Sequence, residues 1–314
     1  MVLNWGTIGV SVFFAISGFI ITRLLIIEHE KAGRIDLKAF YVRRACRILP
    51  ALWVFLGISL LLSEQVRSAH PIRVFLFLTD YLDPGCWWLA HTWSLSVEEQ
   101  FYLLWPWALW ALGPFRSLRF VCVVLLAAPG FRIAMYYVAP SLRHGIESQF
   151  HSVVDTLMIG CLIAFLVWYR PQCWFLRLLG RWEMAVSSLL FAMLLSPTLF
   201  NLFGGAYLFT IGISLRAVSL GCILYWCVGH ASSIVGRILE SRPFVHIGLI
   251  SYSLYLWQQP LFDAQAKGIV FGRSWVAVLY VLLLAEVSYR CVELPILTLR
   301  RRVTAARSAL NEPA

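Results

Sequence analysis

Charge is what this chain has least of. Only 13% of its 314 residues are charged, whereas 60% are hydrophobic. A soluble domain carries about 25% charged residues and 45–50% apolar ones. The shortage excludes a soluble fold and leaves a multi-span membrane protein. Acidic residues are scarcer still, 16 against 26 Lys and Arg, for a net charge of +10. Metal motifs are missing: the eight Cys form no C-x-x-C pair, and there is no H-E-x-x-H. Cys122, Cys161 and Cys222 lie in apolar runs and read as small hydrophobes. There is no internal repeat, no low-complexity stretch and no sign of a second domain. The first residues lack the basic region and small-residue cleavage site of a secretory signal.

What is present is a series of apolar runs, at 7–27, 48–63, 71–82, 97–113, 119–138, 153–169, 182–200, 206–228, 244–262 and 274–295. A spanning helix needs about 20 residues, so the run at 71–82 is too short to cross. The expected fold is an all-α polytopic integral membrane helix bundle of about nine spans. One transmembrane domain covers 1–299, and a short basic cytoplasmic tail covers 300–314. The basic residues support this count. With the start outside, only Arg67, Arg73, Arg143, Lys267 and Arg273 fall on the outer connections. Arg23, Arg132, Arg216 and Arg290 lie within spans, and every other Lys and Arg falls inside. That is the positive-inside pattern, and it points to membrane lipid, not nucleic acid, as the neighbour of the positive charge. Fourteen Trp and twelve Tyr suit the two interfaces.

Against this background the polar residues stand out. Glu98 and Glu99 sit at the mouth of an apolar run, where a carboxylate costs about 2.5–3.5 kcal/mol to insert. Either serves as a general base, or orients one, or pairs structurally with Arg132, Arg216 or Arg290. On a helix they point about 100° apart, so one faces the bundle while the other reaches the interface. His91, on the outer approach, is a possible acid or base. Arg44 and Arg47 are three apart and share a helix face, with guanidinium forks suited to phosphate oxygens; the plain alternative is a positive-inside flank. Pro50 is expected in the first turn of the helix that follows. Gly9 to Phe19 brings small residues that admit a close helix or ligand. Ser17 lacks the G-x-S-x-G elbow of a nucleophile. His151 and Asp155 are four apart, a spacing that allows contact, and so does the three-residue spacing of Arg290 and Glu293. No second cluster supports a metal.

Taken in order, these motifs resemble the membrane acyltransferase 3 family. The shared patterns are Gly-Val-x-x-Phe-Phe-x-x-Ser-Gly-Phe (Gly9 to Phe19), Arg-x-x-Arg-Ile-x-Pro (Arg44 to Pro50) and Trp-Ser-Leu-x-Val-Glu-x-x-Phe-Tyr (Trp93 to Tyr102). Asp-x-Leu-x-x-Gly (Asp155 to Gly160), Ser-Tyr-x-x-Tyr-Leu-Trp (Ser251 to Trp257) and Tyr-Arg-x-x-Glu-x-Pro (Tyr289 to Pro295) follow. The resemblance implies an O-acyltransferase that moves an acyl group, acetyl in the usual case, from acyl-coenzyme A to a hydroxyl of a cell-surface or lipid-linked glycan. Lipopolysaccharide, exopolysaccharide and peptidoglycan are among the family's acceptors. Acyl-coenzyme A is a co-substrate, and no bound cofactor is implied. The implied location is the bacterial inner membrane.

By the same resemblance Glu98 belongs to the active site; Glu99 and His91, read from their positions, complete the catalytic candidates. Arg44 and Arg47, with Ser17, Gly18 and Phe19, hold the acyl donor. Trp93, Tyr102, Asp155, Tyr255, Arg290 and Glu293 support them. Two departures matter. Gln258 and Gln259 stand where many relatives have His after the Trp, which removes a proton-handling group. The chain also begins at the family's second helix, so the family's catalytic His has no counterpart, and the full pattern would have about ten spans. Two other readings stay open: a transporter or flippase of lipid-linked sugar or acyl groups, and a family remnant without activity.

Overall fold

The computed structural model describes residues 5–266 and 274–310; Lys267 and Arg273 lie outside the described residues. Among these, there is helix and no strand. In hydrocarbon every backbone amide and carbonyl must be paired within its own segment, so long apolar runs become helices. They are α1 (Trp5–Ala32), α2 (Leu37–Leu62), α3 (Trp93–Val138), α4 (Phe150–Tyr169), α5 (Trp182–Phe203), α6 (Gly205–Gly229), α7 (Arg242–Ala266), α8 (Ser274–Ser288) and α9 (Leu294–Leu310). A π-helical turn, Tyr289–Glu293, joins α8 to α9.

Seven described stretches are long and apolar enough to cross a membrane. One of them, containing α3, is two crossings. Gly113 breaks α3 with φ 70°, ψ 169°, and Pro114 follows. Both halves, 93–112 and 114–138, line one apolar groove through Phe101, Trp105, Phe120 and Phe131, so the helix folds back on itself at Gly113. The 25 residues of α7 reach about 37 Å at 1.5 Å per residue, enough for a further crossing. The run at 71–82 holds one helix of five residues, Pro71–Phe75, followed by turns. These segments match the expected arrangement of about nine spans.

One boundary differs from expectation. Asp36 caps α2, its Oδ1 accepting from the Ala39 amide at 2.9 Å, so the helix starts at Leu37. Arg43, Arg44 and Arg47 therefore ride on α2, and Pro50 lies in its interior, not its first turn. The apolar run marks where the lipid begins, while the cap marks where the helix begins.

The described residues divide into two interleaved compact units, Met1–Ile35 with Trp93–Glu240 and Asp36–Thr92 with Ser241–Ala314. In the first, α4 is the central helix: 72% of its apolar window is buried by protein. It crosses α1 at backbone contact. A Cβ on Gly18 would lie 1.9 Å from the Leu157 carbonyl oxygen, and one on Gly160 would lie 2.1 Å from that of Ala15. Ala15, Ile159, Ala217 and Leu220 pack where α6 joins them. Phe19, Ile163 and Ala164 continue the core. In the second unit Phe55 of α2 packs edge-on against Trp257, centroids 5.3 Å apart, and the Tyr252 hydroxyl donates to the Ile48 carbonyl at 2.9 Å.

Candidate active site

The polar residues of the first unit gather at two places. The first lies between α1 and the leading half of α3. Glu98 and Tyr102 are four apart on α3, hence on one face. Ser17, on α1, reaches both: its Oγ donates to Glu98 Oε1 at 2.8 Å, and the Tyr102 hydroxyl lies 2.9 Å away. Ser17 has one proton, and it goes to the carboxylate. Tyr102 is then the donor to Ser17, giving a directed chain from phenol to hydroxyl to carboxylate. Tyr102 is buried, while Ser17 and Glu98 are half-buried. A turn further along, the indole of Trp105 donates to Thr22 Oγ1 at 2.9 Å, fixing the two helices in register.

The neighbours of Ser17 face elsewhere. Gly18 meets Leu157 and Phe19 is buried beside Ile163, so both pack against α4. Glu99 is turned about 100° from Glu98 along the helix and is also half-buried. Trp93 meets Phe14 of α1 edge-on, with centroids 6.2 Å apart.

The second place is an ion pair. Arg132, in the trailing half of α3, and Asp155, on α4, are fully buried and meet at 2.8 Å. Ser214 of α6 bonds to both, and Arg132 also donates to the Ser152 carbonyl. Arg132 is thus the partner of Asp155 and not of the glutamates. His151 packs against the Phe131 ring, centroids 4.8 Å apart, while Asp155 turns to Arg132. Arg132 is expensive at membrane depth, and its charge was the available signal; that the opposite charge is Asp155 depends on how α3 folds back.

The second unit holds the remaining candidates. Arg44 and Arg47 share a face of α2, both half-buried, with the Arg44 guanidinium 5.7 Å from the Phe40 ring centroid. His91 is buried against Tyr255, centroids 5.1 Å apart, and Phe55, 5.9 Å away. The Tyr255 hydroxyl donates to the His91 carbonyl. Gln259 donates to the Trp87 carbonyl at 2.9 Å, so this glutamine ties the short helix Trp87–Ala90 to α7.

Arg290 and Glu293 do not pair. The π-helical turn rotates them apart: Arg290 bonds to Glu286 at 2.5 Å, which also holds His246 at 2.7 Å. Glu293 is fully buried and accepts from Ser253 Oγ at 2.5 Å; Ser253 lies 2.9 Å from Ser288. Spacing on an ideal α-helix placed Arg290 and Glu293 together, and an inserted π turn is not legible from spacing. Ser253 and Ser288 carried no signal of their own, whereas Glu286, a carboxylate inside the apolar run at 274–295, is legible by the same rule as Glu98.

Comparison with known proteins agrees with the motifs. The acyltransferase 3 family model, described as an acyltransferase domain, matches residues 1–285. The O-acetyltransferase OatA of Staphylococcus aureus is 29% identical over 346 residues, covering 94% of this chain and 53% of its own length. The peptidoglycan O-acetyltransferase OatA of Listeria monocytogenes is 28% identical over 333 residues, covering 93% of this chain and 51% of its own. The chain spans about half the length of the curated relatives it matches. No solved structure matches. A family match over most of the chain, with the polar motifs held on an all-helical membrane fold, makes this chain a member of the acyltransferase 3 family.

Proposed function

We propose that this chain is an O-acyltransferase of the bacterial inner membrane, moving an acetyl group from acyl-coenzyme A to a hydroxyl of a cell-surface or lipid-linked glycan. Peptidoglycan is the first acceptor to try, because the Listeria relative is named for it. The observation that carries the reading is the Tyr102–Ser17–Glu98 chain in a membrane-embedded member of this family. A carboxylate that accepts from one neutral hydroxyl has lone pairs left to accept the proton of an acceptor hydroxyl.

In this reading Glu98 takes the proton of the acceptor hydroxyl or orients the group that does. The hydroxyl oxygen attacks the thioester carbonyl carbon, the carbon–sulfur bond breaks, and the coenzyme leaves as a thiol once a proton reaches its sulfur. Arg44 and Arg47 bind phosphate oxygens of the donor. Glu99 and His91 stand near the centre in sequence as the other titratable candidates. Their test is the same as that for Glu98.

The experiment is release of coenzyme A by the purified protein in sealed proteoliposomes, given acetyl-coenzyme A and peptidoglycan fragments. Thiol release with acetyl label recovered on the glycan is expected. Label crossing the membrane with the thioester intact would replace the enzyme reading with a transporter.

A further inference from the structure

A small cavity in the first unit is not used by the chemistry above. It lies among α1, the start of α3, the segment before α4, α4 itself and α6, and has a volume of about 30 Å³. A water-sized group needs about 10–15 Å³ on this measure, so the cavity admits about two such groups, the size of one carboxylate. Its polar lining is Arg216, Glu147, Thr7, Ser11 and Thr156, and Trp93 stands beside them.

Arg216 is the unusual member. It sits within a span, and its Nε is buried without a hydrogen-bond partner among the described residues. A guanidinium is always charged, and an unused buried N–H costs about 1–3 kcal/mol. Asp155, fully buried on α4, is already committed to Arg132 and Ser214. Glu147 is the remaining counter-charge. Burial raises its pKa from the ordinary carboxyl value, and the charge of Arg216 lowers it by less. Glu147 therefore takes up a proton more readily than a surface carboxylate, while the buried Nε of Arg216 has no partner among the described residues.

Position matters as well. Val10 and Ser11, on α1, line the cavity, and Ser17 is one to two turns further along the same helix, about 9–10 Å at 1.5 Å per residue. Trp93 lines it from α3, and Glu98 follows about 7–8 Å along that helix. By the charge bias of the connections, segment 139–149 with Glu147 is on the outer side. The cavity is then the outward approach to Glu98, and a sugar-sized spacing separates the two.

We infer that this cavity is an acceptor subsite in which Arg216 holds the carboxylate of an acidic sugar while a hydroxyl of the same glycan reaches Glu98. The assignment rests on the acyltransferase reading above. A carboxylate offers two oxygens to the Nε edge of the guanidinium, and Thr156 lines the same cavity, while the Ser11 hydroxyl donates to the Thr7 carbonyl at 2.8 Å. Trp93 presents an aromatic surface for the sugar ring.

The test is calorimetric binding of a glucuronic-acid-terminated disaccharide, and of its methyl ester, to the full chain in nanodiscs. The ester removes the charge and adds one methyl group; the comparison works on the unaltered protein, and Arg216→Gln separates a preference for charge from one for size. The acid is expected to bind about tenfold tighter or better, the range for a charge-assisted hydrogen bond. Arg216→Gln should abolish the preference and Arg216→Lys should keep part of it. Equal binding of acid and ester, no binding of either, or a preference that survives in Arg216→Gln would overturn the subsite. Acetate displacing the acid equally well would assign the cavity to any free carboxylate and overturn the glycan assignment. Acetyl transfer to neutral glycan without any acid preference would defeat the subsite alone. Acid-selective binding with no transfer to any acceptor would defeat the transferase reading instead.

Discussion

At the scale of single residues, position along a helix says less than partnership. Glu98 and Glu99 were equivalent as a pair of carboxylates in an apolar sequence, and the hydroxyl of Ser17, from another helix, distinguishes Glu98. Glu98→Gln is expected to lower acetyl transfer by about a hundredfold or more, the range for an acid–base group, and Glu99→Gln by much less. Ser17→Ala removes one neutral donor and is expected to cost about tenfold. Thiol release from acetyl-coenzyme A measures all three, and full turnover in Glu98→Gln would sink the site. Arg44→Ala and Arg47→Ala should raise KM for acetyl-coenzyme A, because phosphate contacts are present in ground and transition states alike. The buried pair behaves differently. Arg132→Gln strands Asp155 without its counter-charge and is expected to destabilise the protein by about 3–5 kcal/mol. Replacing both with apolar residues should restore much of that. Thermal unfolding in detergent reads the comparison, and a double variant worse than either single would count against a simple ion pair.

At the scale of elements, two motif glycines have opposite roles. Gly160 has no room for a Cβ because the Ala15 carbonyl occupies the space, whereas nothing lies within 4 Å of a Cβ on Gly9. Gly160→Val is expected to separate α1 from α4 and cost about 3 kcal/mol or more. Gly9→Ala should be neutral or slightly stabilising, since alanine favours helix. Melting temperatures of the two variants check this, and similar losses in both would show that the crossing is not what holds α1. The other helix features follow local rules with exceptions set by chain geometry. Asp36 starts α2 well before the apolar run. Gly113 with a left-handed φ, followed by Pro114, turns α3 back. The π turn at Tyr289–Glu293 shifts the register by a residue and sends Arg290 and Glu293 to different partners.

At the scale of the whole molecule, the distribution of charge sets the orientation to be tested. In a variant lacking the eight native cysteines, single cysteines at Ser68, Arg34 and Glu240 occupy exposed positions in connections. Ser68→Cys is expected to react with a membrane-impermeant maleimide on intact spheroplasts. Arg34→Cys and Glu240→Cys should react only after the membrane is opened. The reverse pattern would invert the topology and place the Arg216 cavity on the wrong side for a glycan.

The amino-acid sequence determined the all-helical membrane fold and the number of apolar segments, because lipid leaves an apolar run no other way to satisfy its backbone. It also displayed the family's motifs in order, because each is a local string. Tertiary structure decided which charges meet. Ser17 with Glu98, Arg132 with Asp155, and Arg290 with Glu286 are 81, 23 and 4 residues apart. Two of these pairs depend on where separate helices cross; the third is a local i, i+4 pair, and the π turn decides only that Arg290 does not meet Glu293. A hydrogen bond extends about 3 Å and a helix buries one face at a time, so partnership across helices is fixed by crossing point and rotation, which no local string encodes.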